Sequence, residues 1–217
     1  MASAGSGYLG IPYFPISEPY VRAALAILVA GWTTLKGKRL VTPKLKENDI
    51  TAYLSQEMKD AQRCGLSDII NWDILVGTQS DSQDPLEIGQ IDIKFRWSQY
   101  PNDYDRYLAA EAKKLRGKGP SLAGDYVEKG VMRFVTARYG RGHNYGIMMG
   151  YVMVPPLSVA TCRVKRAMDK RKIKTQECSA LSFNSSLCPH PFACHSRHLQ
   201  NGTKVTMTLV HLFLDLS

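Results

Sequence analysis

The segment YLAAEAKKLRG, residues 107 to 117, sets Glu111 and Lys113 two positions apart in an otherwise apolar run. Side chains of a strand alternate between its faces, so Tyr107, Ala109, Glu111 and Lys113 share one side, and Leu108, Ala110 and Ala112 the other. Upstream, EIGQIDIKFRW (87–97) alternates Ile91, Ile93, Phe95 and Trp97 with Asp92, Lys94 and Arg96, the period of a second strand. The turn-rich SQYPNDYDR between them predicts an antiparallel hairpin with Asp92 beside Glu111 and Lys113. Two carboxylates and an amine so placed suit phosphodiester hydrolysis. The carboxylates share a divalent cation that offsets charge on the phosphate and lowers the pKa of a bound water, while Lys113 orients or deprotonates that water or stabilises the developing charge. Magnesium, or manganese in its place, prefers hard oxygens and keeps its waters. The plainer account of the same residues is ion pairing, Glu111 with Lys113 or Lys94 and Asp92 beside Arg96.

These groups need elements to hold them. Ser17, Glu18 and Pro19 begin a buried helix over 17–35, and Thr42 with Pro43 predicts a second helix closing near Gly65, with an apolar stripe of Ile50, Tyr53, Leu54, Met58 and Ala61. Glu47 and Glu57 fall on or beside that stripe. As single residues they read as a first-turn acid and a boundary residue reaching solvent; facing the core, each would need a partner or a metal. After the hairpin, Val127, Val131, Phe134 and Val135 predict a helix over 126–140 with Gly140 as its stop, and YGIMMGYVMV (145–154) predicts a strand covered on both sides. A basic helix at about 157–173 and a strand in TKVTMTLVHLFLDL close the chain.

Asp92, then Glu111-Ala112-Lys113, then a helix and an apolar strand resemble the core of the PD-(D/E)xK nuclease superfamily over roughly residues 42–154. Glu47-x-x-Ile50-x-x-x-Leu54 is similar to the helix-borne first motif of its resolvase-like and restriction-like branches. The E-x-K triplet alone is weakly specific; the ordered elements around it are more so. Asp92 follows Ile91 rather than a proline, with Glu87 as the alternative for its role. The resemblance implies an α/β, restriction-endonuclease-like mixed central sheet flanked by helices, forming a single nuclease domain over 1–217. In it the helix at 17–35 and the extension 155–217 pack on the core. It further implies a magnesium- or manganese-dependent nuclease, an endonuclease or exonuclease with Asp92, Glu111 and Lys113 catalytic, in prokaryotic defence or nucleic-acid processing. Asp92, Glu111, the backbone carbonyl of Ala112 and Glu47 would hold the metal. A silent nucleic-acid-binding or interaction subunit of a larger complex is the alternative.

The chain has 28 Lys and Arg against 19 Asp and Glu, a net charge of +9 that favours a polyanionic partner, DNA ahead of RNA. Lys129, Arg133, Arg138 and Arg141 are the candidate phosphate contacts, and RVKRAMDKRKIK (163–174) a candidate backbone-tracking segment. A homodimer or partner subunits would matter for cutting two strands. The 217 residues and 44% apolar content support a sizeable core, and no stretch long enough to span a membrane is evident. Five cysteines without a signal-like leader argue for a reducing cytoplasm. Cys188, His190, Cys194, His195 and His198 gather in CPHPFACHSRH, yet their spacing matches no zinc finger, and a loop with buried thiols is the default. No nucleophile-elbow pattern supports an acyl-transfer enzyme.

Overall fold

The computed structural model describes residues 15–65, 70–78, 89–98, 106–119, 122–183 and 186–216. Glu87 and most of the expected hairpin turn lie outside those residues. Within them the elements run α1 (Glu18–Lys38), α2 (Glu47–Arg63), β1 (Ile70–Thr78), β2 (Gly89–Trp97), β3 (Leu108–Arg116), α3 (Ala123–Tyr126), a π-helical segment (Val127–Val131), α4 (Met132–Val135), β4 (Tyr145–Val154), α5 (Leu157–Asp169), β5 (Glu177–Phe183), β6 (Ala193–Leu199) and β7 (Thr206–Asp215). Among the described residues the strands form one mixed sheet in the order β1-β2-β3-β4-β7-β6-β5. The expected α/β class is borne out. The β1–β2, β2–β3, β5–β6 and β6–β7 pairs are antiparallel, while β3–β4 and β4–β7 are parallel.

Each face of the sheet carries its own core. On one, α1 and α2 bury Leu25, Leu28, Leu54 and Met58 against Ala110, Ala112, Met149 and Leu212. On the other, the helical run 123–135 and α5 bury Tyr126, Phe134, Val164 and Met168 against Ala109, Met148, Leu209 and Phe213. With both faces covered, β4 and β7 are almost continuously apolar, as a central parallel strand requires. Gly31 lets α1 and α2 touch: a Cβ there would lie 2.7 Å from Met58 Cγ and 2.9 Å from its backbone nitrogen.

Several boundaries differ from expectation. The first helix continues to Lys38, where Lys36 and Lys38 complement its C-terminal dipole. The second opens at Glu47, not Thr42, because the Lys114 ammonium bonds the carbonyls of Pro43 and Leu45 and holds that stretch as a turn, while Asp49 caps the Lys46 N–H. Tyr53 is exposed rather than part of the stripe. Glu57 does not reach solvent: its side chain is buried and pairs with Lys38 Nζ at 2.8 Å. The helix expected over 126–140 spans 123–135, and Gly140 lies in the turn beyond it, after Ala137 at a φ of 58°. The basic helix ends at Asp169 rather than 173, leaving Ile173 exposed. Strand β1 and the C-terminal pair β5 and β6 were not expected. The extension beyond 155 is no appendage, since it supplies three strands of the sheet.

The Cys/His segment is strand rather than loop from Ala193 onward. Cys188 and Cys194 are buried in opposite cores, and all five cysteines are free. His198 and His211 join a buried chain of hydrogen bonds whose direction is fixed at one end. The Thr175 carbonyl can only accept, so His198 Nδ1 donates to it (2.8 Å) and His198 Nε2 accepts from the Ser196 hydroxyl (2.8 Å). Ser196 Oγ then accepts from His211 Nε2 (2.8 Å), and His211 Nδ1 accepts from the Tyr126 hydroxyl (2.9 Å). Both imidazoles are neutral in this arrangement. Burial, with the neighbouring His198 and His195, pushes His211 down to about 3.

Ser196→Ala removes a partner from both rings and is expected to cost about 1–3 kcal/mol in urea unfolding. The unfolded chain accepts a proton that folded His211 refuses. Its stabilising contribution is therefore complete above the ordinary histidine value of 6.5 and is lost as pH falls from there toward 3. The urea midpoint of the wild type should fall across that window more steeply than that of His211→Gln.

Candidate active site

The site forms where the sheet divides. β2 pairs with β3 from Ile93↔Ala110 to Phe95↔Leu108 and no further, although β1 stays paired with β2 as far as Gly89. Beyond Ala110, alternate backbone N–H groups of β3 face the side that β2 has left, and a buried amide without a partner is costly. Carboxylates take the place of the missing strand. Asp92 Oδ2 accepts the Ala112 N–H at 2.6 Å, and Glu47 Oε2, from the first turn of α2, accepts the Lys114 N–H at 2.8 Å. Continuing the hairpin register places Asp92 opposite Glu111.

The structure therefore brings together all of the residues expected at the centre. Lys113 Nζ lies 2.7 Å from Glu111 Oε1 and 2.8 Å from Glu47 Oε1, and it also donates to the Ala112 carbonyl. Arg133 Nη1 reaches Glu111 Oε1 at 2.9 Å from the other side. Asp92 is buried and Glu111 completely so; Glu111 Oε2 has no hydrogen-bond partner among the described residues. Burial is the main force on both acids. It raises Asp92 despite the Ala112 N–H, and with the Asp92 charge it pushes Glu111 up to about 8 in the face of Lys113 and Arg133. For Lys113, burial acts against the ammonium, but Glu111 and Glu47 outweigh it and hold the amine above its ordinary value.

The ion-pair account holds in part: Glu111 pairs with Lys113 as expected, whereas Arg96 pairs with Asp73 rather than lying with Asp92. Unlike an exposed pair, this cluster has Asp92 and Glu111 buried at its centre, and its three acidic side chains outnumber two cations. Among the described residues no three His, Cys, Asp or Glu side chains converge as a finished metal cage. The donor set nonetheless suits a cation that keeps several waters. It consists of hard oxygens only: Asp92, Glu111 with its orphaned Oε2, the Ala112 carbonyl and Glu47.

The basic residues separate. Arg133 belongs to the centre, a role no sequence signal gave it beyond its place on the following helix. Its Nη1 also donates to the Gln90 carbonyl (3.2 Å) and the Tyr139 hydroxyl, and its guanidinium lies 5.3 Å from the Tyr139 ring centroid. Tyr139 was not anticipated either. Lys129 is exposed and paired with Asp125, Arg141 is exposed, and Arg138 is half-buried. In the basic segment, Arg163 holds the carbonyls of Arg116 and Gly119, and Arg171 and Lys174 pair with Glu128, so half of it ties elements together. A cavity of about 590 Å³ between Trp32, Lys36, Arg39, Val41 and Asp215 contains none of the site residues. No helix among the described residues is long and apolar enough to cross a membrane.

No protein-family model, curated protein or solved structure matches this chain.

Glu47 serves β3 twice, through Lys113 and through the Lys114 N–H. Glu47→Ala is expected to destabilise the fold by about 1–2 kcal/mol, and Glu47→Gln, which keeps an acceptor for the amide, by about half as much, read as urea midpoints.

Proposed function

We propose that the protein is a metal-dependent phosphodiester hydrolase acting on nucleic acid, DNA ahead of RNA, with a PD-(D/E)xK-like centre of Asp92, Glu111 and Lys113. The observation that carries this reading is the buried carboxylate pair at the sheet fork, with one Glu111 oxygen orphaned and Lys113 directly against the other. A structural ion pair has no need of a second buried acid opposite the first. The net charge of +9 supports a polyanionic substrate.

Asp92, Glu111 and the Ala112 carbonyl, with Glu47 beside them, would hold the cation. When bound it supplies charge neutralisation at the phosphate and a water of lowered pKa. The chain's own contribution is placement and charge. Asp92 is fixed by the Ala112 N–H, so its free oxygen is held in one direction. Lys113 stays protonated against Glu111 and Glu47 and is a donor poised to orient a water or meet a developing oxyanion. Glu47 positions that ammonium rather than acting on substrate. The centre lies midway along β3, with Glu111 and Lys113 beside Met148 and Gly150 of its parallel neighbour β4.

The test is cleavage of supercoiled, linear and single-stranded DNA and of RNA, with magnesium, manganese or EDTA. Wild type is expected to cut in a metal-dependent way, and Glu111→Ala and Lys113→Ala to lose at least about a hundredfold while remaining folded. The preferred substrate in the panel names the class. Salt-sensitive binding without cutting, unchanged by either substitution, would support a binding subunit instead.

A further inference from the structure

Glu111 is contacted by Lys113 from its own strand and by Arg133 from the helix that follows. The helix that follows β3 lies unusually close to the sheet at Gly130, where a Cβ would come within 2.4 Å of Met148 Cε and 3.5 Å of Lys113 Cγ. Gly130 lies in the π-helical segment Val127–Val131, a local widening of a kind that recurs at functional sites. One turn later comes Arg133. Glu111 is fully buried, whereas the Arg133 side chain that contacts it keeps 29% of its surface exposed, so Arg133 links the buried carboxylate to the solvent-accessible surface.

The manner of attachment is informative. All the contacts of Arg133 to Glu111, Gln90 and Tyr139 are made through Nη1. A guanidinium is always charged and carries five N–H donors in a planar fork, and among the described residues Nε and Nη2 have no partner, which leaves an edge that matches a phosphate or carboxylate. Two of the Nη1 partners are independent of Glu111: the Gln90 carbonyl, two residues before Asp92, and the Tyr139 hydroxyl, which itself donates to Gln90. The guanidinium thus stays at the mouth of the site if Glu111 lets it go. Glu111, its third partner, is a carboxylate that a divalent cation would share with Asp92, so the guanidinium and the cation compete for the same negative charge.

We propose that Arg133 is a substrate-contacting residue of this centre, parked on Glu111 while the carboxylate has no metal and handed to a phosphate of the nucleic acid once a divalent cation takes Glu111. The inference rests on the metal-dependent hydrolase reading. It assigns Arg133 two opposed effects: the residue competes with metal for Glu111 and assists binding of the polyanion.

Removing the guanidinium should accordingly move two affinities in opposite directions. Mn2+ uptake is measured by electron paramagnetic resonance of the free ion. DNA binding is measured by fluorescence anisotropy of a short oligonucleotide in Ca2+, another ion of oxygen sites, over a salt series. For Arg133→Gln, Mn2+ is expected to bind about three- to tenfold more tightly, through loss of a competing ion pair. DNA should bind more weakly, with a salt slope shallower by about one. Arg133→Lys, which keeps a point charge without the fork, should restore the salt slope but only part of the affinity. A purely structural Arg133 would weaken both ligands together, and unchanged Mn2+ affinity would likewise overturn the proposal. Wild type that takes up no Mn2+, or takes it up equally well as Glu111→Gln, would overturn the metal reading itself; normal behaviour of those two proteins with an indifferent Arg133→Gln would overturn the hand-over alone.

Discussion

Everything at the centre follows from two backbone amides that lose their strand. Where β2 leaves β3, the N–H groups of Ala112 and Lys114 face a gap in the sheet, and Asp92 and Glu47 close it. A hydrogen bond from a buried amide to a carboxylate is among the stronger ones available, and it fixes the acid as firmly as the acid satisfies the amide. The fork therefore installs negative charge between two cores without leaving that charge free to turn away. Glu111, on the strand opposite Asp92, adds another carboxylate to a region already short of solvent.

The shortage of positive charge governs the rest. Lys113 and Arg133 approach Glu111 Oε1 from two elements, yet burial and Asp92 still hold the acid well above the usual carboxylate range. A cluster under such tension contributes little to stability compared with an apolar replacement of the same volume. Its persistence in the middle of a well-packed sheet makes more sense as machinery than as support. The Tyr126–His211–Ser196–His198 chain is the opposite case, since every donor finds an acceptor and the rings remain neutral. One buried polar group is balanced within itself; the other is balanced only by adding something.

The strands that carry the centre were legible because each is long and unambiguous in period: alternation in β2, the E-x-K face of β3 and the apolar run of β4. Their hairpin set Asp92 beside Glu111 by register alone. Glu47 was legible in place but ambiguous in role, since an acid in a first turn is ordinary and only the fork gives it a strand to serve. Arg133 was legible as a candidate phosphate contact but not as a partner of Glu111, because that approach depends on Gly130 and a π-helical turn, and neither has a distinctive local pattern. The strand β1 was overlooked although Ile70, Trp72 and Ile74 alternate with Asn71 and Asp73 in the period of a strand, and β5 and β6 because Cys, His and Pro suggested a loop. The start of α2 was misjudged because Thr42-Pro43 is a sound helix opening until Lys114, more than seventy residues away, claims the carbonyls that follow it.

The position of β7 has a consequence for how the chain is made. β4 is flanked by β3 on one side and by β7 on the other, and the β7 pairing runs from Tyr145↔Thr208 to Val152↔Asp215. During synthesis, residues 42–154 emerge with the β2–β3 hairpin and its neighbour, yet with one long apolar edge of β4 open. That edge waits for the last ten-residue strand, and pairing at such separation is slow relative to local structure. A nascent chain stalled anywhere in between presents a sticky template for other chains. The order of elements along the chain thus delays completion of the sheet around Glu111 until β7 has been made.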